Sequence, residues 1–208
     1  MVNTNPGRPS DPAKDRKILA AGRELLFGQG PVAVTMEAVA KKAGVAKPTL
    51  YRRYANRDEL LAAVAEAEAE RMAGRFRIEP DTAGDLKRAL VEFAGDLTRF
   101  LLSAEHIRFI HALGASSGMA QSIRDSIYRH GPLNTRDRLA DWLRGADQRG
   151  LLACPEPDGS AEMFLGMLMG LDLVRTLYHV EPTRDLAARA AYVESIVEGF
   201  LKLHRPGN

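Results

Sequence analysis

The sequence predicts an all-α protein, with a three-helix N-terminal helix-turn-helix domain followed by a larger C-terminal helical domain. Three observations carry this. Apolar residues recur at spacings of three and four through most of the 208 residues, with no sustained alternation of period two. The residues that punctuate them are helix caps and helix breakers. Residues 35–54, TMEAVAKKAGVAKPTLYRRY, space small, apolar and basic side chains as two helices crossing at a tight turn require.

Taken in order, residues 1–11 are rich in Pro, Asn and Gly and predict a disordered arm. Ile18, Leu19, Gly22, Leu25 and Leu26 stripe a first helix that stops at Gly28-Gln29-Gly30-Pro31. Thr35 suits the N-cap of the next helix, and Glu37 suits the positive end of its dipole. Gly44 is the pivot, because a residue that leaves a helix in the left-handed region is strained unless it lacks a Cβ. Ala40, one turn earlier, is small enough to let the following helix approach. Val39, Val45 and Leu50 lock the pair together. Asn56 with Glu59 forms a capping box that starts another helix at Arg57. This divides the chain into 1–11, a helix-turn-helix domain at 12–57 and a helical domain at 58–208.

Within the second domain, Leu86, Leu90, Phe93, Leu97, Phe100 and Leu101 predict an amphipathic helix over 85–102, and Ile107, Ile110 and Leu113 mark a short one. A longer segment, 119–148, carries Ile123, Ile127, Leu133, Leu139, Trp142 and Leu143, with a break or kink at Gly131-Pro132. Two more helices follow, from Asp158 to about His179 and over 185–204.

Charge is divided along the chain. Residues 1–57 hold 11 Lys/Arg against 4 Asp/Glu, which leaves 18 against 23 for the remainder. A cationic end with an acidic body suits a polyanionic partner approached in one orientation. The helix after Gly44 offers Lys47, Thr49, Tyr51, Arg52 and Arg53 as donors for phosphate oxygens and base edges. No apolar run is long enough for a bilayer and the N-terminus has no apolar signal core, so we expect a cytoplasmic chain with no membrane partner. The single cysteine, Cys154, has no internal disulfide partner.

Residues 18–30, 35–43 and 44–64, the last reading GVAKPTLYRRYANRDELLAAV, together resemble the TetR family of transcriptional regulators. The Leu50-Tyr51 pair, the aromatic Tyr54 and the basic Arg57 fall in the family's order, and the C-terminal part is similar to AefR-like regulators. The resemblance implies contacts to a double-stranded DNA operator from Thr35, Lys47, Thr49, Tyr51, Arg53 and Arg57, with Tyr54 packing the small domain. Pro48 and Arg52 complete the expected DNA-binding set. Two departures bear on base preference. Ala46 stands where the family has Ser or Thr, a lost cap of about 1 kcal/mol, and Pro48 stands where Gly is common. Proline is tolerated in a first helical turn but brings no donor to the groove.

Assembly and input are read from the last helices. Residues 163–177 are apolar around nearly the whole cylinder until Asp172 and Arg175, so that helix needs burial on more than one side. Gly166, Gly170 and Val174 on it, with Ala190, Val193, Val197 and Phe200 on the last helix, are the expected homodimer interface in a four-helix bundle. Phe93, Leu97, Phe100, Phe109, Met119, Met163 and Met167 are expected to line a cavity for a small, mostly apolar effector, with His106 and Trp142 as polar anchors. His111, His130 and Asp172 are further candidates for that anchoring role. Ordinary core packing is the competing reading for each. The scattered histidines offer no metal-ligand spacing, and no cofactor is expected. No Glu-x-x-His pair or phosphate-cradling glycine loop points to an enzyme, and the glycine- and serine-bearing stretch Gly114-Ala-Ser-Ser-Gly118 lies between helices and follows no strand, as a nucleophile elbow would have to. The expectation is therefore a homodimeric, effector-released repressor at a near-palindromic operator. A ligand-independent or architectural DNA binder, or an activator, is the alternative.

Overall fold

A computed structural model describes residues 12–72, 74, 79–115 and 120–206, and among them every regular element is helical. The first group comprises α1 (Pro12–Gln29), a 3-10 turn (Pro31–Ala33), α2 (Met36–Ala43), α3 (Lys47–Tyr51) and α4 (Arg57–Met72). The second comprises α5 (Ala83–Leu101), α6 (Ala104–Ala115), α7 (Gln121–Tyr128), a π turn (Arg129–Leu133), α8 (Asn134–Gln148), α9 (Pro157–Leu177) and α10 (Leu186–Leu203). The arm expected at 1–11 lies outside the described residues.

Caps set the helix starts. Thr35 Oγ1 accepts from the Ala38 amide at 3.1 Å. Asn56 Oδ1 accepts from the Glu59 amide at 2.9 Å, and Glu59 returns the bond to the Ala55 amide at 2.8 Å, one residue before the position an ideal capping box would use. Gly44 leaves α2 with φ 65°, and the Val45 amide reaches back to the Ala40 carbonyl at 3.0 Å. Ala46 places no side-chain oxygen at the start of α3, and Pro48 sits in its first turn.

Two apolar clusters hold the helices. Ile18, Leu26, Val39, Leu50, Leu60 and Leu61 are almost fully buried in the first, which also takes in Phe109 from α6 and Ile123 and Ile127 from α7. Packing therefore runs across residues 57 and 58. In the second, Leu90 and Phe93 of α5 meet Leu139, Trp142 and Leu143 of α8, Phe164 of α9 and Val197 and Phe200 of α10. Phe100 packs against both clusters. Cys154 belongs to the second cluster, where burial pushes its thiol above the ordinary range.

The expected interruption at Pro132 takes the form of a π turn. The Asn134 amide donates to the Arg129 carbonyl, five residues back, which accommodates the proline ring without ending the right-handed path. A second interruption was not anticipated. Gly170 departs from helical geometry inside α9, at φ 47° and ψ −159°. Tyr192 of α10 fills the break, its hydroxyl donating to the Met167 carbonyl at 2.5 Å. A Cβ on residue 170 would stand 2.8 Å from that hydroxyl oxygen. No described helix is long and apolar enough to cross a membrane.

Candidate nucleic-acid interface

α2 and α3 form the exposed end of the first cluster. Val39, Ala40 and Leu50 are buried between them, so the opposite faces of both helices are turned outward by the same packing. Thr35, Lys47, Pro48, Tyr51 and Arg52 are exposed there, and Thr49 is half-buried. Tyr51 keeps 49% of its surface accessible, high for a large aromatic side chain that has a buried neighbour at Leu50. Arg52 has no ion-pair partner among the described residues. Thr35 spends one lone pair on capping α2 and retains its hydroxyl proton for an acceptor.

Two of the expected contacts are engaged within the small domain. Arg53 turns inward, with its side chain only 11% exposed, and forms an ion pair with Asp15 of α1. Arg57 donates from Nε to the Val34 carbonyl at 2.7 Å and from a terminal nitrogen to the Pro31 carbonyl at 2.5 Å. The Pro31 carbonyl opens the 3-10 turn and also accepts from the Val34 amide at 3.2 Å, and the Val34 carbonyl follows that turn. These arginines brace the small domain from within, and Tyr54 is half-buried beside it. Lys47 has an unanticipated neighbour, since its amine donates to the Glu37 carboxylate across the α2–α3 angle. Sequence reading placed Glu37 only at a helix dipole. The cue was present in its spacing from Lys47, but only the crossing geometry brings the two together.

The residues expected to line an effector cavity fall in different places. Phe93, Leu97 and Trp142 are packed inside the second cluster, with Phe93 stacked on Phe164 at 6.5 Å. Phe100, His106 and Phe109 join Phe27 of α1 in an aromatic knot, with Phe100 and His106 centroids 4.6 Å apart and Phe27 and Phe109 centroids 5.0 Å apart. His106 Nδ1 is buried there without a hydrogen-bond partner. Met167 is half-buried, and Met119 lies outside the described residues. Met163 is 40% exposed, on the outside of α9. A groove of about 370 Å³ between α5 and α10, lined by Val91, Gly95, Thr98, Ala190 and others, contains none of the expected cavity residues.

Asp172, a candidate anchor, is engaged within its own subunit. Arg175 and Arg184 reach its carboxylate at 2.7 and 2.6 Å, and Arg184 lies 3.8 Å over the Tyr192 ring. Burial alone would raise its pKa, but these donors hold it below the ordinary carboxylate range. His111 donates from Nε2 to the Thr176 carbonyl, 2.7 Å away, and so links α6 to α9.

The expected dimer residues also divide. Val193, Val197 and Phe200 are buried against their own subunit at 3%, 0% and 0% exposure, which removes them from any outer face. Gly170 faces Tyr192. Gly166, Val174 and Ala190 are exposed, together with Met169, Leu171 and Leu177 on α9.

Comparison with known proteins agrees with this geometry. Residues 18–64 match the family described as bacterial regulatory proteins, tetR family, and residues 88–206 match the AefR-like transcriptional repressor C-terminal domain. The chain is 28% identical over 199 residues to the HTH-type transcriptional regulator YdeS of Bacillus subtilis strain 168, covering 94% of this chain and 92% of that one. A TetR-family regulator structure from Mesorhizobium loti superposes with a TM-score of 0.72 at 20% identity, over 95% of this chain and 100% of the other. The flavonoid-responsive regulator FrrA superposes at 0.68 with 27% identity over the same shares.

Proposed function

We infer a specific mode of action from the fact that this chain belongs to the TetR family of DNA-binding transcriptional regulators: it acts as a homodimeric repressor, released by a small, mostly apolar effector. The single observation that carries the reading is the exposed outer face of α2 and α3, where Thr35, Lys47, Thr49, Tyr51 and Arg52 cluster over a rigid apolar contact. A helix presented in this way enters the major groove with its N-terminal residues on base edges, while neighbouring donors seat on phosphates.

The dimer follows from the exposed apolar face of α9. Leu171 is 63% exposed and Leu177 52%, more than an isolated helical domain leaves to water along one helix. α10 offers exposed Ala188, Ala191 and Ser195, with half-buried Gly199 next in line, at spacings of three and four, small enough for close helix approach. A two-fold pairing through these faces would present two α3 helices to a near-palindromic operator.

The description of the C-terminal match as a repressor domain favours repression over activation. The responsiveness named for FrrA favours a small-molecule input. We place that input at the seam beside Phe100 and His106, where α1, α4, α5 and α6 converge. An effector binding there shifts α4, and with it α3, only if it prefers one of the two arrangements. The reading involves no catalytic step.

The test is binding to duplex DNA from the region upstream of the chain's own gene. Tyr51→Ala and Lys47→Ala should each weaken binding by roughly tenfold, with the unfolding midpoint unchanged. Binding equal to the parent would remove α3 as the reading element.

A further inference from the structure

Among the described residues, the acidic side chains of the small domain are engaged in ion pairs: Asp15 with Arg53, Glu24 with Lys42, and Glu37 with Lys47. The third differs in place. Lys47 is the first residue of α3 and Glu37 lies in the first turn of α2, so this pair bridges the two helices on their outer side. Both side chains are open to solvent, at 57% and 71% exposure. Their mutual hydrogen bond and charge hold the Glu37 carboxyl below its ordinary range and the Lys47 amine above it. An exposed pair contributes little to fold stability. Its consequence lies in what the same face meets.

On approach to a duplex, a carboxylate at this position is repelled by the phosphates, while Lys47 is drawn to them. Moving Lys47 from Glu37 to a phosphate leaves an unpaired anion against a polyanion. The carboxylate is acceptor-only, so the partners able to relieve it in the major groove are base amino groups: N4 of cytosine or N6 of adenine. We propose that Glu37 is a specificity-determining residue, whose carboxylate holds Lys47 off the phosphate backbone until a base amino group in the operator takes the place of Lys47. This rests on the reading of α2 and α3 as the DNA-facing helices.

On non-cognate DNA, Glu37 keeps Lys47, and one phosphate contact is forgone. On the cognate site, Glu37 bonds the base and Lys47 is released to a phosphate. The pair therefore suppresses non-specific binding while costing the specific complex little.

The experiment uses the full-length chain and its Glu37→Gln variant. Each is put through selection from a random duplex pool, followed by titration on the selected site and on an unrelated duplex at several salt concentrations. Glutamine keeps the length of the side chain but releases Lys47. We expect wild type to prefer cytosine or adenine at one symmetric position per half-site, by roughly 5- to 100-fold. In Glu37→Gln that preference should flatten, and binding to the unrelated duplex should tighten by about tenfold with a salt slope steeper by about one. Identical base preference and identical slopes in the two proteins would overturn the role of Glu37 and leave the family reading intact. A wild type that selects no sequence would instead overturn the DNA-facing assignment itself.

Discussion

Arg57 illustrates why residue roles are harder to read than elements. Its order in the chain suits a DNA contact, yet its guanidinium bonds the Val34 and Pro31 carbonyls inside the small domain. A basic side chain has the same charge whether it points to phosphate or to a backbone carbonyl, so sequence does not separate the two. Arg57→Ala should destabilise the protein by about 1–3 kcal/mol, measured by urea unfolding. Arg57→Lys should recover only part, because an ammonium lacks the planar fork that spans two acceptors. His106 gives a second residue-scale prediction. Burial in the aromatic knot lowers its pKa to about 4, against a smaller opposing pull from Glu68. The folded value lies below that of the unfolded chain, near 6.5, so the neutral ring is favoured in the fold. That contribution is complete above about pH 6.5 and is lost as pH falls towards 4, amounting to roughly 3 kcal/mol. Stability measured across this window should fall in wild type. His106→Phe should flatten the decline; a decline of unchanged depth in that variant would assign it to other groups.

At the scale of elements, periodicity and caps carried most of the information. The helix expected over 85–102 is α5, Ala83–Leu101, and that expected over 185–204 is α10, Leu186–Leu203. Both have one wet and one dry face, so the stripe is visible in one dimension. The interruption of α9 is different. Gly166 and Gly170 look alike in sequence, but only Gly170 meets Tyr192, whose hydroxyl takes up the Met167 carbonyl. A distant residue decides which glycine breaks the helix. Tyr192→Phe should cost about 1 kcal/mol through the lost hydrogen bond. Gly170→Ala should cost about 1–3 kcal/mol, since its backbone lies in a region that side chains resist. Differential scanning calorimetry on both variants checks the order. Equal, negligible shifts would mean that α9 runs unbroken in solution.

For the whole molecule, the division into a cationic reading end and a helical body was legible from charge and patterning, whereas the packing of α6 and α7 onto the first cluster was not. Phe109, Ile123 and Ile127 sit on helices far along the chain, and no local signal says which core they join. The same shared cluster joins the expected input and the reading helices in one body. The outer face of α9 was legible only as an excess of apolar residues; which of them face outward required the fold. Val174 is exposed at 43%, so Val174→Glu leaves the subunit core intact. Size-exclusion chromatography with light scattering should show this variant as a monomer of unchanged helicity, with operator affinity lost; a dimer would place the interface elsewhere.

The most direct test of the DNA-reading claim is selection of duplexes from a random pool by the wild-type chain, with Tyr51→Ala selected in parallel. The expected result is enrichment of a two-fold symmetric sequence whose half-sites are spaced by whole turns of the duplex, with that enrichment lost or sharply reduced in Tyr51→Ala. An unstructured pool from wild type, or the same sequence enriched equally by Tyr51→Ala, would contradict it.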